Sequence, residues 1–342
     1  MISTRIKYID YVRGLAMLFV VYGHINFFSF EITPFINSLT ASIQMPLFFF
    51  ISGYVAYKNN WSSSLIDVLK SLWSKFCYLI VPTMIMGILY SHFVLDKSIC
   101  DFITEEMKYG YWFPISLFTM FMIYELSRFI SKSRVKVLII LLITLGCILW
   151  CSKYVLFNNN TTLIALKNCF SLWQTFTYFP FFILGIILCV YREYYEKSLS
   201  GKGGLSTVLL ITFILAVFLS SIDLPNIKFP LGGILSLMIG SSGTLLILNL
   251  FIKYKSYWNN SFIGRLLQTI GRRTLEIYLL HYFILPDLTY AAEYVNTSST
   301  IVGFAISLII SMLIIASSLI IGNIIRLSPI LSVWLLGVKI KK

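Results

Sequence analysis

The sequence predicts an all-α, polytopic membrane protein, and three observations carry that prediction. Hydrophobic residues make up 58% of the 342 positions and charged residues only 12%, with a mean hydropathy of +0.84. A soluble chain of this length could not hide so much apolar surface. The apolar residues are also gathered into runs long enough to cross about 30 Å of hydrocarbon, which takes about 20 residues of helix. Finally, the basic residues fall overwhelmingly in alternate loops.

About ten segments meet the length requirement. In chain order they are Tyr11–Phe30, Leu39–Tyr57, Leu72–Leu95, Trp112–Ile130, Val135–Cys151, Trp173–Tyr191, Leu205–Ile222, Leu231–Ile252, Thr274–Ala291 and Ile301–Ile324. The fifth is the shortest, and the ninth opens on polar groups. With the N-terminus placed in the cytoplasm, only Lys97, Lys108, Lys153, Lys167 and Lys228 of the 27 Lys and Arg residues fall outside. That asymmetry orients the bundle with both termini cytoplasmic, because positively charged loops stay on the inner side. It also accounts for the net charge of +13, which reflects topology and contact with anionic lipid and implies no nucleic-acid partner. Asp10 and Arg13 interrupt the start of the first span and no small-residue cleavage site follows it, so that span reads as a signal anchor.

The chain reads as a single membrane domain over residues 1–342, with no loop long enough for an appended soluble domain. The longest outer segments are Asp96–Tyr111, which is acidic, and Ser152–Leu172, which carries the turn run Asn158-Asn159-Asn160. The inner loop Trp258–Arg273 is basic, and Phe262, Ile263, Leu266 and Leu267 give it one apolar face, as in a short helix lying at the membrane surface. The six cysteines (Cys77, Cys100, Cys147, Cys151, Cys169, Cys189) lack metal-ligand spacing, and most fall in spans and read as small apolar fillers, the alternative for Cys100 and Cys169 being a disulfide across outer loops. No metal site is expected.

The chemistry is expected on the first span. His24 follows Arg13 by eleven residues, about three helical turns, so the two share a face roughly 16 Å apart along the axis. Asp10 lies within about 40° of the same line. Ionisable groups at membrane depth are costly and mark functional sites. An imidazole titrates near neutrality, so His24 suits a general base, the alternative being a core histidine bonded to a neighbouring helix. Arg13 is either a flanking charge or a ligand for phosphate through its planar donor fork. Asp10 either pairs with Arg13 three residues on or caps the helix.

Asp10-Tyr11-Val12-Arg13-Gly14 followed by Val20-Val21-Tyr22-Gly23-His24 resembles the opening of the acyltransferase-3 family, membrane acyltransferases that include bacterial O-acetyltransferases of surface polysaccharide and relatives of fucose 4-O-acetylase. The resemblance continues through Gln44-Met45-Pro46-Leu47-Phe48-Phe49-Phe50-Ile51-Ser52-Gly53-Tyr54, through Tyr111-Trp112-Phe113 with Leu117-Phe118, through Pro180-Phe181-Phe182-Ile183-Leu184-Gly185, and through the run from Gly271 to His281. It covers essentially the whole chain. One departure stands out: many members carry two basic residues three apart before the proline opening the third span, whereas here Lys75 is present and Tyr78 occupies the second place.

The resemblance implies acyl transfer from cytoplasmic acyl-CoA, with acetyl-CoA the usual donor, to a carbohydrate hydroxyl of a surface polysaccharide or its lipid-linked precursor, in a bacterial-type inner membrane. His24 would be the base, Arg13 and Lys75 would hold the donor, and Asp10 would support Arg13. Further candidates for lining the acceptor cavity are Gln44, Ser52, Tyr111, Trp112, Glu276 and His281. Each has a plainer reading: helix packing for Gln44 and Ser52, an aromatic belt at the membrane interface for Tyr111 and Trp112, an ion pair with Arg272 for Glu276. Glu125 is expected to pair with Arg128. The competing function is a polytopic transporter or flippase of lipid-linked glycans without covalent chemistry. That class commonly shows two related halves, and no internal repeat is visible in the chain.

Overall fold

A computed structural model describes residues 6–32, 35–58, 61, 64–156, 161–200, 204–221 and 231–338. The helices in chain order are α1 (Lys7–His24), α2 (Phe35–Ala56), α3 (Leu65–Lys75), α4 (Val81–Phe93), α5 (Ile99–Thr104) and α6 (Trp112–Ile130). Then follow α7 (Val135–Leu156), α8 (Thr161–Cys169), α9 (Leu172–Val190), α10 (Arg192–Ser200), α11 (Gly204–Ser221) and α12 (Leu231–Lys253). The last six are α13 (Lys255–Asn260), α14 (Phe262–Arg272), α15 (Thr274–Leu280), α16 (Ala292–Thr297), α17 (Thr300–Ile325) and α18 (Pro329–Leu336). No strand occurs among the described residues. Eight helical stretches among them are long and apolar enough to cross a membrane, and Gly204–Leu219 is a shorter apolar helix. Ile140, Val208, Ile211, Phe218, Ile309 and Leu313 are each more than half exposed, the surface a lipid-facing helix must present. The protein is an all-α polytopic membrane protein. All six cysteines are unbridged.

Two elements differ from expectation. The ninth segment is not one continuous helix: α15 stops at Leu280 and gives way to a 3-10 turn at His281–Phe283, and a second 3-10 turn, Thr289–Ala291, completes the segment. Pro286 cannot donate to a helical ladder and biases its predecessor away from helical angles. Just beyond it, Asp287 Oδ1 accepts hydrogen bonds from Thr289 N (3.0 Å) and Thr289 Oγ1 (2.8 Å), a local turn that competes with helix. The third segment begins earlier than expected, at Leu65, where Ser64 and Asp67 form a reciprocal cap, and it runs 29 residues to Phe93.

The contacts gather the chain into two compact units, each discontinuous in sequence. The first comprises Met1–Ile51, Leu188–Thr274 and Leu285–Ile315. Its centre is the crossing of α1 and α14, where glycines let two backbones meet. A β-carbon on Gly14 would lie 2.1 Å from Leu267 O, and one on Gly271 would lie 1.9 Å from Asp10 O. α14 is thus a packed element as well as an amphipathic one. Gly264, Leu267, Ile270 and Gly271 are buried, while Phe262 and Ile263 are 71% and 51% exposed. The expectation that Leu267 belongs to a membrane-surface face is corrected by this docking.

The second unit comprises Ser52–Ile187, Leu275–Ile284 and Ala316–Lys342. Here α18 packs on α4 and on the turn before it. Ser328 caps α18, Pro329 opens it, and Gly337 closes it in the left-handed region (φ 63°), with Gly337 N and Val338 N bonded back to Val333 O and Ser332 O.

Candidate functional site

Among the described residues two short π-helical turns interrupt the helices, and each follows directly on a residue singled out by the sequence. α1 ends at His24 and Ile25–Ser29 is π-helical; α3 ends at Lys75 and Phe76–Ile80 is π-helical. Such turns concentrate at functional sites, and each has a visible cause.

After His24 the cause is Asn26. Its side chain is wholly buried and its Nδ2 donates to Tyr22 O (2.9 Å), entering the ladder that the backbone would otherwise complete. Its Oδ1 accepts from Ser307 Oγ (3.0 Å), and the backbone closes wider, with Phe30 N on Ile25 O (3.0 Å). His24 is half-buried, and its ring meets Phe28 edge-on at 5.4 Å. Sequence reasoning missed Asn26; its signal was an amide two residues beyond His24 in an apolar run.

After Lys75 the cause is Pro82. It has no N–H to give Tyr78 O, the carbonyl four residues back. The backbone bonds instead from Val81 N to Phe76 O, and Gly337 closes on the carbonyl so tightly that a β-carbon there would lie 2.2 Å from it.

Lys75 stands in a built charge network. Its ammonium donates to Glu125 Oε1 (2.7 Å) and Ser71 Oγ (2.7 Å), Ser71 Oγ donates to the same carboxylate oxygen (2.8 Å), and Arg128 Nη1 donates to Glu125 Oε2 (3.0 Å). The Glu125 side chain is only 4% exposed. The expected Glu125–Arg128 pair is present. The expected role of Lys75 at the donor phosphates meets a physical obstacle: an ammonium already matched by a buried carboxylate must give up that partner to bind another anion.

The first unit holds Asp10, Arg13, His24 and Gln44. Asp10 is 2% exposed, and Arg272 Nε donates to its Oδ2 at 3.4 Å. This long-range pair belongs to the α1–α14 crossing. It also replaces the expected Arg272–Glu276 pair, because the helix breaks at Arg273 (φ −123°, ψ 24°) and the two residues no longer stand on one helical face. Arg13 is half-buried on α1. Gln44 Oε1 in α2 is buried and accepts no hydrogen bond.

The second unit holds Ser52, Lys75, Tyr111, Trp112, Glu276 and His281. Ser52 is half-buried near the end of α2. Glu276 is 4% exposed and pairs with Arg326. Tyr111 is fully buried, donates to Leu279 O (2.9 Å), and packs against Tyr90, Tyr278 and Tyr282. That placement corrects the expectation of an exposed belt residue. His281 is fully buried in the same aromatic cluster, its Nδ1 3.0 Å from Ile277 O and its ring 4.0 Å from that of Tyr282. Trp112 is 8% exposed and stacks on Tyr178. Tyr111 sits at the start of α6 and Glu125 near its end. Thirteen residues of helix separate Trp112 from Glu125, about 20 Å, so the aromatic cluster and the Lys75 network occupy opposite ends of the unit.

The segment Asp96–Tyr111 contains a lysine that sequence reasoning counted only as a loop charge. Lys108 is 1% exposed and donates to Ile103 O (2.6 Å), Glu105 O (2.7 Å) and Asn168 O (2.5 Å). Burial pushes its pKa below the ordinary lysine value. Lys108 and Tyr109 both adopt left-handed backbone angles (φ 51° and 49°), and Tyr278 Oη donates to Gly110 O beside them.

Residues 6–316 match the model of the acyltransferase-3 family, described as an acyltransferase domain. No significant match was found among curated proteins or among solved structures. With nearly the whole chain covered by the family and its spans established by the fold, the protein belongs to the acyltransferase-3 family and is a multi-pass membrane acyltransferase.

Proposed function

We propose that the protein transfers an acetyl group from cytoplasmic acetyl-CoA to a carbohydrate hydroxyl of a surface polysaccharide or its lipid-linked precursor. It would do so in a bacterial-type inner membrane with both termini cytoplasmic. The observation that carries this reading is the placement of His24: a half-buried imidazole at the α-to-π junction of a helix locked by α14, in a chain of this family.

In the proposed reaction the imidazole of His24 takes the proton of a sugar hydroxyl as that oxygen attacks the thioester carbonyl. The C–O bond forms, the C–S bond breaks, and the departing thiolate receives the proton from the imidazolium. A route through an acetyl-histidine intermediate uses the same residue as nucleophile. CoA is strongly anionic, so its nucleotide end stays at the basic cytoplasmic face while the pantetheine arm reaches inward. The Arg13-to-His24 rise of roughly 16 Å is comparable with that arm. Arg13 is the proposed ligand for the donor's phosphates. Asp10 and Arg272 hold the helix that carries it, and Lys75 ties α3 to α6 through Glu125.

The test uses purified protein in nanodiscs with acetyl-CoA labelled on the acetyl group and crude cell-envelope glycan as acceptor. Saturable donor binding and His24-dependent movement of the label to glycan are expected. Absence of acetyl-CoA binding by folded protein would overturn the donor assignment and direct attention to transport of lipid-linked sugars.

A further inference from the structure

The segment joining α4 to α6 bears an open surface cleft of about 330 Å³ lined by Lys97, Asp101, Thr104, Glu105 and Tyr109, entirely within the second unit. Ligand sites begin at about this size. The lining combines one ammonium, two carboxylates, a hydroxyl and an aromatic ring.

That combination selects against charged ligands. A metal cation would face Lys97, and an anion would face Asp101 and Glu105. An uncharged ligand carrying many hydroxyls suits every group: its O–H groups donate to the carboxylates, Lys97 donates to its oxygens, and the face of Tyr109 receives its polarised C–H bonds. Each carboxylate keeps an oxygen for this purpose. Asp101 uses Oδ2 for the cap formed with Ser98, and Glu105 uses Oε2 to accept from Tyr109 N (3.1 Å).

The cleft has a rigid floor. Lys108 fixes one side of the turn through its three carbonyl partners, and the Tyr278 hydroxyl bonds Gly110 O on the other. A β-carbon on Gly110 (φ 104°) would lie 2.1 Å from Tyr282 Oη, so the turn admits no slack there. The left-handed backbone of Tyr109 is held by this framework, which fixes the point at the edge of the cleft from which its ring projects.

We propose that this cleft binds a pyranose ring of the acceptor glycan, stacked on Tyr109 with hydroxyls on Asp101 and Glu105. The proposal rests on the carbohydrate-acceptor reading above, and on its orientation, which puts the loop at the end of α6 remote from the Lys75 network.

Saturation-transfer NMR on the protein in nanodiscs, with a panel of methyl glycosides of hexoses, 6-deoxyhexoses and N-acetylhexosamines, tests it directly. Tyr109→Gly removes the ring while relieving the left-handed strain, so the variant keeps its thermal stability. Tyr109→Phe keeps the ring, and Glu105→Gln keeps an acceptor for Tyr109 N while removing the charge. Binding to at least one glycoside is expected, weakened about tenfold in Tyr109→Gly and kept within about threefold in Tyr109→Phe. In the transfer assay, Tyr109→Gly and Glu105→Gln should raise the acceptor KM and leave kcat and acetyl-CoA binding unchanged. Wild-type protein that binds no glycoside, or a Tyr109→Gly variant with unchanged binding and acceptor KM, overturns the cleft whatever the chemistry. Tyr109-dependent glycoside binding without any acetyl transfer upholds the cleft and overturns the acetyltransferase reading instead.

Discussion

His24 and Lys75 stand at the same kind of backbone junction, one against an aromatic ring and the other against a buried carboxylate. Each is the last α-helical residue before a π turn. Lys75 is held at 2.7 Å by both a buried carboxylate and a serine hydroxyl, inside a network that also engages Arg128. His24 is half-buried beside the edge of Phe28. The backbone device is shared, so it cannot by itself mark the reacting group. The surroundings differ: Lys75 is matched by the protein's own buried carboxylate, whereas His24 is a half-buried imidazole against Phe28, and it is to His24 that the proposed reaction gives the proton transfer.

The largest effect expected from this contrast is on catalysis at His24. His24→Ala should lower acetyl transfer by about 10²–10⁴-fold, the range a positioned general base contributes, while the purified variant keeps its elution profile and acetyl-CoA binding. Transfer near the wild-type rate would remove His24 from the chemistry and dissolve the distinction between the two junctions.

Glu125→Gln attacks the other junction. It leaves Lys75 and Arg128 close together without the carboxylate that both engage, and breaking a buried pair in this way costs about 3–5 kcal/mol. A marked loss of thermal stability in detergent is expected, larger than for any single change at His24. Stability equal to wild type would show the network to be incidental.

Much of this contrast lay beyond the reach of sequence. The first span and the Glu125–Arg128 pair were legible because helical periodicity sets neighbours three or four residues apart. The pairs that organise the units are long-range: Asp10 with Arg272 lies 262 positions apart, and Lys75 with Glu125 lies 50 apart. No periodicity carries that information. The break in the ninth segment was not legible because hydropathy averages over Pro286 and Asp287, beside which the helix ends. Tyr111 looked like a belt residue because aromatic residues at span ends usually are, and only the packing of Tyr278 and Tyr282 shows it to be core.

A smaller effect is expected at the helix crossing that carries His24. Gly14→Ala would press a β-carbon to 2.1 Å from Leu267 O, a backbone atom that cannot swing aside. Overpacking of this kind costs about 1–3 kcal/mol, so thermal stability should fall, and kcat should fall with it as α1 shifts against α14. Glu125→Gln should lower stability without the same fall in kcat per folded molecule. A Gly14→Ala protein with full stability and full activity would mean that the α1–α14 contact leaves His24 unaffected.

Lys75→Met should do least. Arg128 still matches Glu125 at 3.0 Å, so the buried carboxylate keeps a cationic partner and the penalty of an unpaired charge is avoided. The KM for acetyl-CoA should rise by less than about threefold if Lys75 only ties α3 to α6. A donor-phosphate ligand would show itself differently. Loss of one charge-assisted hydrogen bond is worth about tenfold, ~1.4 kcal/mol, and that loss would fall on the KM for acetyl-CoA with kcat preserved. The two outcomes are separated by one titration of acetyl-CoA against the variant. The larger one would show that Lys75 exchanges Glu125 for phosphate when the donor arrives, making its salt bridge the resting state of a binding group.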